Sequence, residues 1–289
     1  MREVISHTLV NDGSTDATVE VAREHGVDHI VNLINNQGLA KAFIAGLDAC
    51  VKLGADVIVN TDADNQYNAE DIVKLVEPIL QGKADYVIGA RPIEQIAHFS
   101  PLKKVLQNLG SRAVRIVSKT DVPDAPSGFR AVSRDGAIRL NVFNEYTYTL
   151  ETIIQAGQKN MALCSVPVRV NKNLRPSRLI KNVFSYVNKS IVTIFRIFVT
   201  YKPFRFFMTI GLILFGAGVV LGLRYIYFVF TGSGRGHIQS VILCGALLAM
   251  GFQTMLIAFM ADLLSVNRKL LEDLQYRIRK KETQQSKQD

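Results

Sequence analysis

The stretch Val57-Ile58-Val59-Asn60-Thr61-Asp62-Ala63-Asp64-Asn65-Gln66-Tyr67 is an apolar, β-branched run that stops on two carboxylates spaced one residue apart. Such a run reads as a buried strand delivering polar groups at its carboxyl end, the edge at which open α/β sheets bind ligands. Asp62 and Asp64 then share a face, because side chains two apart in extended chain point the same way. Two carboxylates that close repel when ionised unless a cation sits between them, and hard oxygen ligands suit Mg2+ or Mn2+. An ordinary strand end followed by acidic loop residues gives the same pattern, so the D-x-D spacing by itself leaves both readings open.

Upstream, residues 5–10 form a short, partly apolar run followed at once by Asn11-Asp12-Gly13-Ser14-Thr15-Asp16 and a helical pattern over residues 17–25. Strand, turn and helix follow in that order, with Ser14 or Thr15 as helix cap and Asp12 displayed at the strand end. A second strand is expected over residues 27–33. Asn36-Gln37-Gly38 then opens a helix whose small residues Ala42, Ala45, Gly46 and Ala49 allow close approach to a sheet or a phosphate. After the central strand come a helix over 69–80 and a strand over 85–89 that delivers Arg91. Strands and helices alternating in this way predict an α/β domain with a mostly parallel, Rossmann-like sheet covered on both faces.

Further on, residues 100–118 read as a basic helix with Lys103, Lys104, Arg112 and Arg115, and Ser127-Gly128-Phe129-Arg130 brings a second arginine toward the presumed pocket. Residues 146–157 read as a helix carrying Glu151, and residues 171–178 as a basic loop with Arg175 and Arg178.

The composition changes sharply after that loop. Residues 179–198 place Ile, Val and Phe at helical intervals among Lys181, Lys189 and Arg196, the pattern of an amphipathic helix lying in a membrane interface. Residues 206–223 and 238–261 are uncharged and each long enough to cross a bilayer. Only a short Gly-containing connection separates them, which predicts a transmembrane hairpin. Lys202, Arg205, Arg268 and Lys269 flank one side of the pair, so both termini are expected in the cytoplasm. The tail from Glu282 is polar and expected to lack structure. The formal charge of +9 calls for an anionic partner. With membrane segments present, lipid or a phosphorylated substrate fits better than nucleic acid, whose interleaved aromatic and basic motifs are absent. Cys50, Cys164 and Cys244 lie far apart and suggest packing residues in place of a disulfide framework or zinc site.

Five motifs in order, Asn11-Asp12-Gly13-Ser14-Thr15-Asp16, Asn36-x-Gly38, Asp62-Ala63-Asp64-x-Gln66, Gly89-x-Arg91 and Ser127-Gly128-Phe129-Arg130, resemble the family 2 glycosyltransferases. The group most similar is that of dolichol-phosphate mannose synthase and the bacterial polyprenyl-phosphate glycosyltransferases. The resemblance implies a GT-A type fold over residues 1–178, then an interfacial amphipathic helix over 179–204, a transmembrane hairpin over 205–264 and a cytoplasmic tail over 265–289. It implies an inverting transfer of sugar from a UDP- or GDP-linked donor to a polyprenyl phosphate, undecaprenyl or dolichyl, assisted by Mg2+ or Mn2+. The location implied is a bacterial or archaeal cytoplasmic membrane, and a homo-oligomer is compatible with it.

Carried over residue by residue, the resemblance puts Asp12, Gly13 and Asp62 at the donor nucleotide. Asp62, Asp64 and Gln66 fall at the metal, and Asp62, Asp64 and Arg91 at the reacting diphosphate. Lys103, Lys104, Arg112, Arg130, Arg175 and Arg178 fall at the acceptor phosphate, with Glu151 a further candidate. The chemistry agrees with that division. A diphosphate leaving group gains negative charge as its bond breaks, which cations stabilise, while an anionic lipid phosphate attacks without a strong base. Members of the family open with a further strand and a Pro-x-Tyr-Asn-Glu type loop, whereas this chain begins at what reads as their second strand. The first domain is therefore expected to be N-terminally incomplete, and an inactive membrane adaptor that keeps the fold is the alternative reading.

Overall fold

The structure, a computed structural model, describes residues 5–92, 111–112, 114–142, 148–171, 192, 195–196, 198–232 and 238–285. Lys103, Lys104, Arg175, Arg178 and most of the expected interfacial helix lie outside the described residues. The chain divides into two compact units, Met1–Ser190 with Glu272–Asp289, and Ile191–Leu271.

In the first unit strands and helices alternate as expected. The order is β1 (Thr8–Asp12), α1 (Thr18–Glu24), β2 (His29–Leu33), α2 (Leu39–Lys52), β3 (Val57–Asn60), α3 (Ile72–Leu80) and β4 (Tyr86–Ala90). After a long return come β5 (Arg130–Ser133), α4 (Arg134–Arg139), α5 (Thr149–Gln158) and β6 (Leu163–Pro167). β1 and β2 form a parallel pair, and the other strands form a sheet in the order β3-β5-β4-β6. β5 runs antiparallel to both β3 and β4, and β6 runs parallel to β4. β3, β4 and β6 therefore share one direction, with β5 inserted against them.

The core explains these assignments. Tyr86, Val87 and Ile88 of β4 are all buried, as a strand covered on both faces requires. Leu75 of α3 packs with Val87, Phe129, Ala131, Val168 and Tyr67, and each large side chain so buried contributes roughly 1.5–3 kcal/mol. α2 turns Ala40, Phe43 and Leu47 inward at helical spacing. A Cβ at Gly46 would lie 3.0 Å from Val10, which shows how closely this helix approaches β1.

α4 and β5 follow one another without a break, a turn of structure that the sequence pattern did not announce. Ser133 ends the strand and caps the helix, its hydroxyl accepting from the Gly136 amide at 3.1 Å. At α1 the expected caps Ser14 and Thr15 are not used; Asp16 accepts from the amide and hydroxyl of Thr18 instead.

The second unit contains α6 (Pro203–Phe230) and the greater part of α7 (Ile238–Gln285), both long and apolar enough to cross a membrane. They pack antiparallel through glycines: a Cβ on Gly251 would meet the Phe215 amide nitrogen at 2.6 Å, and one on Gly218 would meet Leu248 at 2.9 Å. Cys244 Sγ donates to the Gly218 carbonyl at 3.2 Å, which accounts for that cysteine as a packing residue.

The end of α7 corrects one expectation. Helix continues to Gln285, four residues into the segment expected to lack structure. Within the first unit this end is held by Lys159–Glu272 at 3.1 Å, by Tyr276 Oη donating to Asp135 at 2.9 Å, and by Arg279 donating to Leu140 O and Asn141 Oδ1 at 3.2 Å each. Those contacts, added to a sequence rich in good helix formers, outweigh its polarity.

Candidate active site

β3 ends on Asn60, and the chain then turns so that Asp62 and Asp64 stand at the carboxyl end of the sheet. The turn is built from its own polar groups. Asp64 Oδ1 accepts from the Gln66 amide at 3.0 Å, Asn65 takes φ 55°, and Asn171 donates from its side chain to the carbonyls of Asn65 and Tyr67 at 3.1 Å each. Asn and Asp favour such local bonds and tolerate a left-handed backbone, which is why this tetrad can leave the strand so abruptly.

Beneath the turn, Asn60 Nδ2 donates to the Gly128 carbonyl at 2.9 Å and to Tyr148 Oη at 2.8 Å. Tyr148 stacks on Phe43 with ring centroids 3.9 Å apart, tying α2 and α5 to the strand end. Tyr67 is buried, stacks on Phe129 and accepts the Gly128 amide at 3.0 Å. Asp62 lies directly against Gly128: a Cβ there would come within 2.5 Å of Asp62 Oδ2.

The electrostatics follow from this packing. Burial, with the neighbouring Asp64 adding to it, pushes the Asp62 carboxyl above the ordinary range, while Arg130 and Arg91 pull it back. A carboxylate pair strained in this way is one that a divalent cation relieves, and Gln66, whose backbone amide bonds Asp64, follows two residues on with a side-chain amide oxygen of the type that could complete the donor set. The donor set of Asp62, Asp64 and Gln66 thus fits Mg2+ or Mn2+. Among the described residues no group of three His, Cys, Asp or Glu side chains forms a complete cage, so the remaining positions would fall to substrate oxygens or water.

Arg91 leaves β4 and is gripped by Asp124 with Nε to Oδ2 at 2.7 Å, Nη2 to Oδ1 at 3.0 Å and the backbone amide to Oδ2 at 3.2 Å. Asp124 is completely buried. Its hydrogen bonds and charge raise the Arg91 pKa against the opposing effect of burial, which is the largest influence on it. Asp124 is not among the residues the sequence singles out; the usable signal is a carboxylate placed just ahead of Ser127-Gly128-Phe129-Arg130.

Arg130 departs from its expected place at the acceptor. It is 1% exposed, and its guanidinium donates to Ser127 O at 2.6 Å, Ala125 O at 2.7 Å, Tyr86 Oη at 2.8 Å and Thr152 Oγ1 at 2.7 Å. Strand β5 is buried on both sides, so a side chain on it ends in the core, where satisfied hydrogen bonds make its charge tolerable. Glu151 is likewise buried, in the first turn of α5, while Arg112 is exposed.

Asp12 ends β1 of the other sheet and Gly13 follows it directly. Asp12 accepts from the amides of Gln37 at 2.7 Å and Gly38 at 2.9 Å, so it holds the start of α2. Gly13 has φ 69° and a Cβ there would meet Asn36 N at 2.5 Å, which only glycine allows. The β1–β2 pair carrying them shares no strand pairing with the sheet of Asp62 among the described residues.

A family model described as glycosyl transferase family 2 matches residues 4–140. The chain is 31% identical over 186 residues to UDP-N-acetylglucosamine–dolichyl-phosphate N-acetylglucosaminyltransferase of Methanococcus voltae, covering 56% of this chain and 72% of that protein. It is 26% identical over 199 residues to undecaprenyl-phosphate mannosyltransferase of Micrococcus luteus, covering 65% and 80%. In fold it is similar to glucosyl-3-phosphoglycerate synthase of Mycobacterium tuberculosis, solved with Mn2+, uridine diphosphate and glucosyl-3-phosphoglycerate. The TM-score there is 0.52 at 17% identity, over 68% of this chain and 69% of that one.

Proposed function

The chain belongs to glycosyl transferase family 2, and on that premise we propose that it moves a sugar from a nucleoside-diphosphate donor to a polyprenyl phosphate at a membrane. The observation that carries this reading is the Asp62–Asp64 pair beside the anchored guanidinium of Arg91, at the carboxyl end of the sheet. Relatives named for dolichyl- and undecaprenyl-phosphate transfer support the acceptor class, and α6 and α7 suit a lipid acceptor better than a soluble one.

In this account a lipid phosphate oxygen attacks the anomeric carbon and the bond to the donor diphosphate breaks, its electron pair leaving on the diphosphate. Configuration at that carbon inverts. Asp62, Asp64 and Gln66 would hold Mg2+ or Mn2+, whose charge would offset that developing on the leaving diphosphate. Arg91 presents fixed donors to the same oxygens. Asp12 and Gly13 shape the loop that receives the nucleotide, since each carboxylate oxygen of Asp12 can accept a further bond. Lys103, Lys104, Arg112, Arg175 and Arg178 offset the repulsion between two phosphorylated substrates. An inactive adaptor is the weaker reading, because the relatives this chain resembles are named as transferases.

Two measurements test the account. The anomeric configuration of the lipid-linked sugar should be opposite to that of the donor; retention would rule out direct displacement. Changing Lys103, Lys104 and Arg112 together to Ala should raise KM for polyprenyl phosphate by about tenfold and donor KM far less. Equal effects on both would remove the acceptor role.

A further inference from the structure

Residues 124–128 form a short loop with unusual anchorage at both ends. From the core side, Arg130 donates to the carbonyls of Ala125 and Ser127, and Tyr67 Oη accepts the Gly128 amide. The Ser127 amide closes the turn on Asp124 O at 3.3 Å. From the site side, Asp124 takes both the side chain and the backbone amide of Arg91, and Gly128 abuts the Asp62 carboxylate. One rigid loop thus touches both residues on which the donor diphosphate depends.

We propose that Asp124 is a positioning residue that sets the Arg91 guanidinium in register with Asp62, through a loop braced from within by Arg130. The role rests on the nucleotide-sugar reading above. Asp124 does not add positive charge, since the pair it makes with Arg91 is neutral overall. What it supplies is orientation: the side-on fork fixes the plane of the guanidinium and uses two of its five donors, directing the others by geometry. A lone arginine at a strand exit would sample many rotamers and meet the diphosphate in few of them. The backbone bond from Arg91 N to the same carboxylate extends the control to the chain itself. Burial of Arg130 has the same logic, because a braced loop cannot yield when Arg91 is pulled toward a substrate.

The test is a four-variant cycle on the full chain in detergent: wild type, Asp124→Asn, Arg91→Ala and the double variant. Binding of UDP and of GDP, each with Mn2+, is followed by titration calorimetry. Asp124→Asn is expected to weaken the nucleotide that wild type binds by about tenfold, and to weaken it less than twofold further once Arg91 is already Ala. Losses that multiply across the double variant would mean that Asp124 acts independently of Arg91 and would overturn the proposal. Asp124→Glu covers the case in which Asp124→Asn fails to fold. It keeps the charge but displaces the fork, so it should lower affinity while leaving the unfolding temperature within a few degrees of wild type. Unchanged affinity in Asp124→Glu would also overturn the role. If wild type binds neither nucleotide, the nucleotide-sugar reading falls and the positioning role with it; if wild type binds and the losses multiply, only the positioning role falls.

Discussion

Asp62 Oδ2 rests against the bare Cα of Gly128, in space that any side chain at 128 would claim, with a Cβ only 2.5 Å away. The carboxylate at the centre of the site is therefore placed by the absence of an atom on a loop more than sixty residues further on.

Gly128→Ala is accordingly expected to move Asp62 and not merely crowd it. Overpacking of this kind costs about 1–3 kcal/mol of stability, and displacement of a catalytic group by an ångström costs on the order of a hundredfold in rate. Transfer rate and unfolding temperature measured on the same preparation check this. A variant with lost stability and intact transfer would show that Asp62 is free to adjust.

Asp62 gives a stability prediction of unusual sign. Its folded pKa is raised, chiefly by burial and then by Asp64, so its favourable contribution belongs to the protonated form and is lost as pH rises through the folded value. At neutral pH the ionised group is a burden. Asp62→Asn should raise the unfolding temperature by roughly 1–3 °C at pH 7 in chelator, and the gain should fade in acid. Mg2+ or Mn2+ should then stabilise wild type and leave Asp62→Asn unmoved. A lower unfolding temperature for the variant at pH 7 would contradict the burial argument.

Asp71 has the opposite sign. Its buried carboxylate accepts from Arg169 Nε, Nη2 and backbone amide and pairs with Lys74 at 2.8 Å, and the Arg169 side chain is the main reason its pKa lies well below the ordinary range. Its contribution is present above the ordinary carboxylate value of about 3.9 and is lost as pH falls toward the folded value. Asp71→Asn should lower the unfolding temperature by roughly 5 °C at pH 7, and the gap should narrow below about pH 4. Thermal scans across pH read both effects, and a gap that does not change with pH would exclude charge as its source.

Tyr148→Phe separates the two things that Tyr148 does. The stack on Phe43 survives, while the bond from Asn60 is lost. A neutral hydrogen bond of this type contributes about 1 kcal/mol, so a drop in unfolding temperature of a few degrees is expected, with transfer reduced only several-fold. A loss of transfer as large as that from Asp64→Ala would place Tyr148 in the chemistry itself.

Much of this was legible in residue order. Val57–Asn60 announced a strand by β-branching, and Asp62-Ala63-Asp64 could be placed from the sequence at the carboxyl end of that strand. The apolar spans before Thr231 and after Ile238 could be read from length alone. Arg130 was misplaced because a motif gives order without direction: whether an arginine ends in the core or the pocket depends on whether β5 is covered on both faces, and its partners there, Tyr86 and Thr152, come from distant segments. The pairing of Asp124 with Arg91 was not legible, since the two lie thirty-three residues apart in the chain. The helical end of α7 was missed because its partners, Asp135, Asn141 and Lys159, lie on elements the local pattern could not bring near.

The most direct measurement incubates membranes carrying the chain with radiolabelled UDP- and GDP-sugars, polyprenyl phosphate and Mg2+ or Mn2+, and counts label in the lipid extract. Label is expected in the lipid extract from one donor, lost on adding chelator and reduced at least a hundredfold by Asp64→Ala. Label that persists in Asp64→Ala, or a wild type that labels no lipid from any donor, would contradict it.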